Sequence, residues 1–414
     1  MSLDPNWIDM AVKAARPRVV AALLRYFGSV ELAEEAFQEA CLKALGKWPD
    51  QGPPRDPASW LVVVGRNAGL DRVRRAARET SLPEEIAAAD ENTEEVIAHA
   101  LDDAPYGDDI LRLLFICCHR DLPATQQIAL ALRVVSGLSV GEIARAFLVR
   151  ESAMEQRLTR AKRTVGQADV PFETPSPLVR AERLATVSAM IYLTFNEGYA
   201  AAAWEARRTM PLCAEAIRLG RLLLRLFPEE AEVHGLLALM LLQHSRVAAR
   251  FDDAGAIVLL EDQDRRLWDR AAILEGTALT DRAFRARRPG PYQLQAAIAA
   301  LHARAASFEQ TDWVQIERLY GVLFEFQPTP VVALNHAVAI SYVRHIEEAL
   351  GLVERLSGPL AGYFYYHAVR GHLLERMGRT GEARQAYAVS LGLARSAAEA
   401  AQMRIYIDRL KQKP

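Results

Sequence analysis

The amino-acid sequence predicts an all-α protein, and three observations predict it. Apolar residues recur at helical spacing almost throughout, β-branched alternation is scarce, and Gly or Pro falls between the periodic stretches. A chain of 414 residues with 51 % hydrophobic content is long enough for about two to four domains, each with its own core. The formal charge of −2 averages over segments of opposite sign and so excludes no nucleic-acid partner. The four cysteines, at 41, 117, 118 and 213, lack paired spacing and suit a reducing cytoplasm better than a disulfide framework. "MSLDPNWIDM" has neither a basic start nor an apolar run, and no later stretch reaches the roughly 20 apolar residues that cross a bilayer. A soluble cytoplasmic protein with no membrane contact is expected.

Four segments follow in order. Residues 7 to 78 carry several helical stretches. The last, "SWLVVVGRNAGLDRVRRAAR", sets Arg66, Arg72, Arg74, Arg75 and Arg78 against one acid, Asp71. From 79 to 110 the sign reverses, with eleven Asp or Glu and no Lys or Arg. The third segment runs from 111 to 166. The three prolines of "DVPFETPSPL" make residues 167 to 178 a second linker. An Ala/Leu-rich helical segment from 179 to 414 completes the chain.

Within the third segment, "LSVGEIARAFLVRESAMEQRLTRAKRTV" (138 to 165) has the pattern of a helix-turn-helix. Gly137 suits a helix end that needs φ > 0, Ser139 is placed to cap the next helix, and Glu142 stands three residues later as a capping-box partner. At 100° per residue, Met154, Leu158, Ala161 and Val165 form one stripe that packs on Ile143 and Phe147. Ser152, Gln156, Thr159, Arg160 and Arg163 are left to the opposite side, where they can reach base edges or phosphates in a major groove. Arg157 and Lys162 flank the stripe and suit phosphate contacts. Taken alone, the same face reads as a solvated Arg-rich helix surface.

Beside this stretch stand "ELAEEAFQEACLKAL" (31 to 45) and "PASWLVVVGRNAGLDRVRR" (57 to 75). The three together, in this order over residues 10 to 166, resemble the bacterial extracytoplasmic-function sigma factors, promoter-recognition subunits of RNA polymerase. The resemblance implies a sigma region 2 domain at 5 to 78 and a region 4 domain at 111 to 166, joined by the acidic linker 79 to 110. It implies two partners, promoter DNA and core RNA polymerase, the latter through its β′ clamp and β flap. Glu35, Gln38 and Glu39 would then meet the β′ clamp, while Leu32, Ala36 and Leu42 or Leu45 face the core. The Pro-rich loop 46 to 59 would capture a base flipped from the melted −10 strand, and Trp48, Arg66, Asn67, Arg72, Arg74 and Arg75 are the −10 candidates. Trp60 reads at least as well as a core residue. Region 4 would read the −35 element through Ser152, Gln156, Arg157, Thr159, Arg160, Lys162 and Arg163. The acidic linker would thread the polymerase's positively lined RNA-exit path, where a polyanion mimics nucleic acid; by composition alone it is a disordered spacer.

"CCH" at 117 to 119 invites a metal, but adjacent helical side chains diverge by about 100° and no second cluster lies at finger-like spacing. No glycine-rich phosphate loop, nucleophile elbow or His-x-x-x-His pair occurs, so neither an enzyme nor a cofactor is expected.

In the fourth segment, "YHAVRGHLLERMGRTGEARQAYAVS" (366 to 390) resembles one tetratricopeptide repeat, with Gly371, Leu374, Gly378, Ala383 and Tyr387 at the small and aromatic positions. Residues 335 to 356 are a weaker copy and 232 to 246 a candidate third helix pair. The expectation is one continuous TPR-like array that contacts polymerase or a regulatory protein. Tyr192, Asn196, Glu197, Tyr199, Asp264, Arg265, Trp268, Tyr292 and Gln293 could line a groove or serve as inter-helix contacts. Two rival readings remain at this point: a stand-alone helix-turn-helix regulator with a ligand- or partner-sensing array, and a TPR scaffold with incidental basic helices.

Overall fold

The computed structural model describes residues 7–52, 54–80, 106–147, 149–166, 177–199, 203–252, 257–394 and 396–411; the side chains of 75–80, 106–109 and 203–211 lie outside the description. Among the described residues the regular structure is α-helix, with two short 3-10 turns, one isolated β-bridge and no strand. No described helix is long and apolar enough to cross a membrane. The chain divides into two compact units, Met1–Thr194 and Phe195–Pro414. The sequence reading put this boundary near 179; it falls inside a helix that runs from Pro177 to Tyr199. Most of the acidic linker and of the proline-rich linker lies outside the described residues.

In the first unit, α1 (Trp7–Phe27), α2 (Val30–Gln51) and α3 (Pro57–Thr80) pack on one another. Ser29 caps α2 by accepting from the Leu32 amide, and Asp56 does the same for α3 through the Ala58 and Ser59 amides. Small residues set how closely the helices approach. A Cβ on Gly65 would sit 3.1 Å from the Ala36 carbonyl oxygen and from Leu23, so α3 nearly touches the α2 backbone there. The buried face of α2 is Ala33, Ala36, Phe37, Ala40, Ala44 and Trp48. Leu42 and Leu45 are 63 % and 58 % exposed. This corrects the expectation that one of them enters the core: bulky leucines do not fit where α1 and α3 come so close, and alanines do.

Four shorter helices follow, α4 (Tyr106–Cys117), α5 (Ala124–Val134), α6 (Val140–Ala146) and α7 (Glu151–Gly166). Helices α6 and α7 form the expected helix-turn-helix, with Met154, Leu158, Ala161 and Val165 buried as a stripe. The capping box is complete, since Ser139 Oγ accepts from the Glu142 amide at 3.2 Å and the Glu142 carboxylate accepts from the Ser139 amide at 2.7 Å. Gly137 has φ 76°, and a Cβ there would strike the Arg16 side chain at 2.7 Å. Replacing Ser139 with alanine is expected to cost about 1 kcal/mol, read as a shift in urea midpoint at pH 7. Hydrogen bonds from the Ser139 hydroxyl and amide hold the Glu142 carboxyl below its ordinary value of 4.5. The carboxylate form is favoured in the fold, so its contribution is full above pH 4.5 and fades as pH falls through the lower folded value. The stability gap between the parent and Ser139→Ala therefore narrows in acid.

Cys117 and Cys118, at the end of α4, are buried thiols; burial raises the Cys118 pKa to about 12 and holds that of Cys117 well above its ordinary value.

The second unit begins in the last turn of α8 (Pro177–Tyr199) and continues through α9 (Ala203–Leu226), α10 (Ala231–His244), α11 (Arg270–Arg285) and α12 (Pro291–Arg304). Then come α13 (Trp313–Phe326), α14 (Pro330–Val343), α15 (Ile346–Glu354), α16 (Phe364–Arg376), α17 (Thr380–Leu393) and α18 (Ala397–Lys411). Helix α10 is buried on nearly every side and packs against both α11 and α12. The stretch 232 to 246 is thus one central helix and a short turn, not a helix pair. Neighbouring helices pair down the rest of the unit. Each repeat position named from the sequence has a packing reason. A Cβ on Gly371 would lie 2.6 Å from the Tyr387 ring, Gly378 ends α16 at φ 76°, and Leu374, Ala383 and Tyr387 are wholly buried.

Candidate nucleic-acid interface

The groove-or-contact question in the second unit resolves toward contact for most residues. Arg265 donates to the His302 and Ala305 carbonyls, and Trp268 and Gln293 are buried. Gln293 donates to Glu232, whose carboxylate also takes the Tyr292 and Gln293 amides and so caps α12. The Arg250 guanidinium lies 3.8 Å over the Tyr199 ring. Asp264 caps the 3-10 turn Arg265–Leu267 and pairs with Arg266.

In α7 the face opposite the buried stripe is exposed at Ser152, Gln156, Thr159, Arg160 and Arg163, with Arg157 half-buried at its edge. Its hydrogen bonds stay within the helix: Thr159 Oγ1 donates to the Glu155 carbonyl at 2.9 Å and Arg160 Nε to the Gln156 carbonyl at 3.3 Å. Such bonds leave guanidinium donors and the Gln156 amide free to turn toward a duplex. The face therefore presents the donors that read guanine and adenine edges, together with cations for phosphate.

In α3, Arg66, Asn67, Arg72 and Arg74 follow one another along the helix toward its C-terminal end. Arg66 donates to Asn67 Oδ1 at 3.3 Å and lies 6.0 Å from the Tyr26 ring centre. Arg74 stands 4.0 Å from Asp71, and the Arg75 side chain lies outside the described residues. Arg72 Nη2 donates to Glu35 Oε1 at 3.1 Å, an exposed pair that joins a −10 candidate to a polymerase-binding candidate. Gln38 and Glu39 are exposed one turn further along α2.

Trp48 is corrected. It is 2 % exposed, stacked on Trp7 at 5.8 Å and edge-on to Trp60 at 5.3 Å, so it is a core residue of the α1–α3 bundle and cannot stack on a base. Trp60 joins it there, half-buried.

Sequence reasoning missed a charged clasp between the two halves of this unit. Arg16 of α1 is buried and donates to Glu34 Oε1, the Val134 carbonyl and the Arg133 carbonyl, each at 3.0 Å. Glu34 of α2 is 2 % exposed, and its second oxygen pairs with Lys162 of α7. Lys162, a −35 candidate, is therefore held against α2 in this structure. The signal was present in part: Glu34 falls on the same helical face as Ala33 and Phe37, where an unpaired carboxylate is not tolerated. Its partners, however, lie 18 residues away in Arg16 and across the linker in Lys162.

Comparison with known proteins agrees with the order of these parts. Residues 11–79 match the family described as sigma-70 region 2, residues 112–165 match sigma-70 region 4, and residues 183–284 match a family of unknown function (DUF6596). The chain is 60 % identical, over 99 % of its length and 97 % of the relative's, to an uncharacterized protein of Rhizobium meliloti. It is also 26 % identical to a probable ECF RNA polymerase sigma factor, SigI, of Mycobacterium tuberculosis, over 40 % of this chain and 56 % of that one.

Proposed function

This chain belongs to the extracytoplasmic-function sigma factors, which direct promoter-specific transcription initiation, and from that premise we propose how its surfaces divide the task. Helix α2 engages the β′ clamp of core RNA polymerase through Glu35, Gln38 and Glu39, with exposed Leu42 and Leu45 on the same helix adding apolar contact. Helix α3 meets the −10 element through Arg66, Asn67, Arg72, Arg74 and Arg75. Helix α7 reads the −35 element with Ser152, Gln156, Arg157, Thr159, Arg160, Lys162 and Arg163, and the region 4 half meets the β flap. The observation that carries this division is the α7 surface, a fully packed apolar stripe backed by an exposed row of Arg, Gln, Thr and Ser.

The clasp sets a condition on that activity. Elements named −35 and −10 stand about 25 base pairs apart, which at 3.4 Å per pair is about 85 Å along the duplex. With Lys162 on Glu34 and Arg16 on the Val134 carbonyl, α2 and α7 are in direct contact. The halves must separate before both elements can be read, and the linker between 80 and 106 must span the gap.

The test is to mix the purified chain with sigma-free core polymerase, follow association by size exclusion, and sequence run-off transcripts from a fragmented genome. Association with discrete starts sharing upstream elements is the expected result; no association by the chain or its first unit overturns the division.

The second unit modulates this activity, through polymerase or a regulatory protein. Deleting 195–414 is the informative truncation, because the Arg183 guanidinium in α8 lies 5.1 Å over Phe115 of α4 and an earlier cut would disturb the first unit. Promoter-dependent transcription is expected to change severalfold on deletion, and unchanged output in vitro and in cells overturns the modulating role.

A further inference from the structure

The second unit holds a cavity of about 310 Å³ between the strap 257–261 and helices α13, α14, α16 and α18. The strap is fastened by backbone, since the Val258 amide donates to the Arg250 carbonyl at 2.8 Å and Gln263 Nε2 to the Val258 carbonyl at 3.0 Å. It contributes Ile257, Leu259 and Leu260 to the lining. One aromatic group in the wall is Trp313 stacked on Tyr342 at 4.2 Å, with Phe308 edge-on to both. A second is Phe364, Tyr365 and Tyr406. Ala368 of α16 is the small residue that keeps the space open. Protein interiors carry few voids larger than a water molecule, whereas small-molecule sites run from roughly 300 to 1,000 Å³ and combine apolar walls with few polar groups.

The polar groups decide the ligand's chemistry. The Tyr406 hydroxyl is shielded from solvent and makes no hydrogen bond of good geometry, although the Gln402 amide approaches it. Tyr406 itself is only 8 % exposed. Burial lowers the His372 pKa, so its ring is neutral at neutral pH and offers one donor and one acceptor. The nearby cations are already committed. Arg376 donates to the Ser341 hydroxyl and carbonyl at 2.8 and 2.9 Å and covers the Tyr342 ring at 4.5 Å. Arg409 pairs with Glu375 at 2.8 Å and covers Tyr406 at 5.0 Å. Among the described residues an anion finds no uncommitted cation here, and the one carboxylate in the lining, Glu261, has its pKa raised by burial and already lies in the field of Arg376 and Arg409, so it offers a cationic ligand little.

We propose that this cavity binds an uncharged, largely apolar small molecule of one or two rings, whose polar substituent is held by Tyr406, His372 and Gln402. The site is independent of the promoter-recognition surfaces, so its test does not depend on them.

The full chain is titrated with 6-propionyl-2-(dimethylamino)naphthalene, a neutral two-ring probe whose emission brightens and shifts to the blue in apolar surroundings. Saturable one-to-one binding in the micromolar range is expected. Ala368→Phe, which fills the cavity, is expected to weaken binding at least tenfold with an unchanged circular dichroism spectrum. Trp313→Phe, which leaves the space open, is expected to keep most of the binding and to cut energy transfer from tryptophan to the probe by half or more. Emission that rises without saturating, equal affinity in a folded Ala368→Phe chain, or undiminished transfer in Trp313→Phe overturns the proposal. Should Ala368→Phe fail to fold, the Trp313→Phe result alone decides whether the probe sits in this cavity.

Discussion

Glu34→Ala is expected to destabilise the first unit by about 3–5 kcal/mol, the loss typical when one partner of a buried ion pair is removed. Three exposures decide which part of that loss dominates. The side chains of Glu34 and Arg16 are 3 % and 9 % exposed, while that of Lys162 is 27 % exposed. Lys162 can turn its ammonium to water once the carboxylate is gone. Arg16 cannot, because two further hydrogen bonds tie it to the Val134 and Arg133 carbonyls, and its guanidinium lies 4.9 Å over Phe37. The penalty is therefore mainly an uncompensated guanidinium in a buried site. Substituting Arg16 as well would not restore stability, since it strands two carbonyls at a cost of about 1–3 kcal/mol each where they stay buried. Native-state hydrogen exchange is the suitable measurement, because it resolves one unit from the other. Protection of the α1 and α5 amides should fall by about a hundredfold or more, at about 1.4 kcal/mol per factor of ten. Protection within threefold of the parent would show that the clasp contributes little.

How much of this was legible beforehand follows from the range of each interaction. The stripe Met154, Leu158, Ala161 and Val165 and the Ser139–Glu142 capping box are local and appear in the structure as the sequence reading placed them, and Gly371 and Tyr387, read from the sequence only as small and aromatic repeat positions, prove to pack on each other. On the buried face of α2, spacing outranks bulk. Ala33, Ala36, Ala40 and Ala44 form a continuous helical row that leads to Trp48, and the close approach of Gly65 to Ala36 is the reason small residues occupy it. Leu42 and Leu45 fall off that row. The clasp was illegible for a different reason. Arg16 reads as one more basic residue in a helix, and only its fold neighbours, 117 and 118 residues away, make it a buried hinge between halves. The cavity in the second unit is likewise assembled from residues 257 to 406, with no local pattern to mark it.

The double substitution Arg160→Ala with Arg163→Ala is expected to lower initiation at promoters that depend on a −35 element by tenfold to a thousandfold. A well-placed contact between a cationic side chain and a base edge is worth about 1–3 kcal/mol of discrimination, and a phosphate contact adds affinity that falls with salt. Arg160 and Arg163 are chosen over Lys162 because both are exposed and make no ion pair within the described residues. Removing them leaves the clasp and the buried stripe of α7 untouched, so fold and polymerase association should match the parent. Lys162→Ala alone is the contrasting case: it loses a DNA contact but also releases α7 from Glu34, so its effect on initiation should be smaller than that of the double variant. The measurement is run-off transcription at several salt concentrations with core association assayed in parallel. Loss of association together with activity would show that these arginines serve polymerase rather than DNA. Unchanged initiation at every promoter would move −35 recognition off this face of α7 altogether, and with it the assignment of Ser152, Gln156 and Thr159.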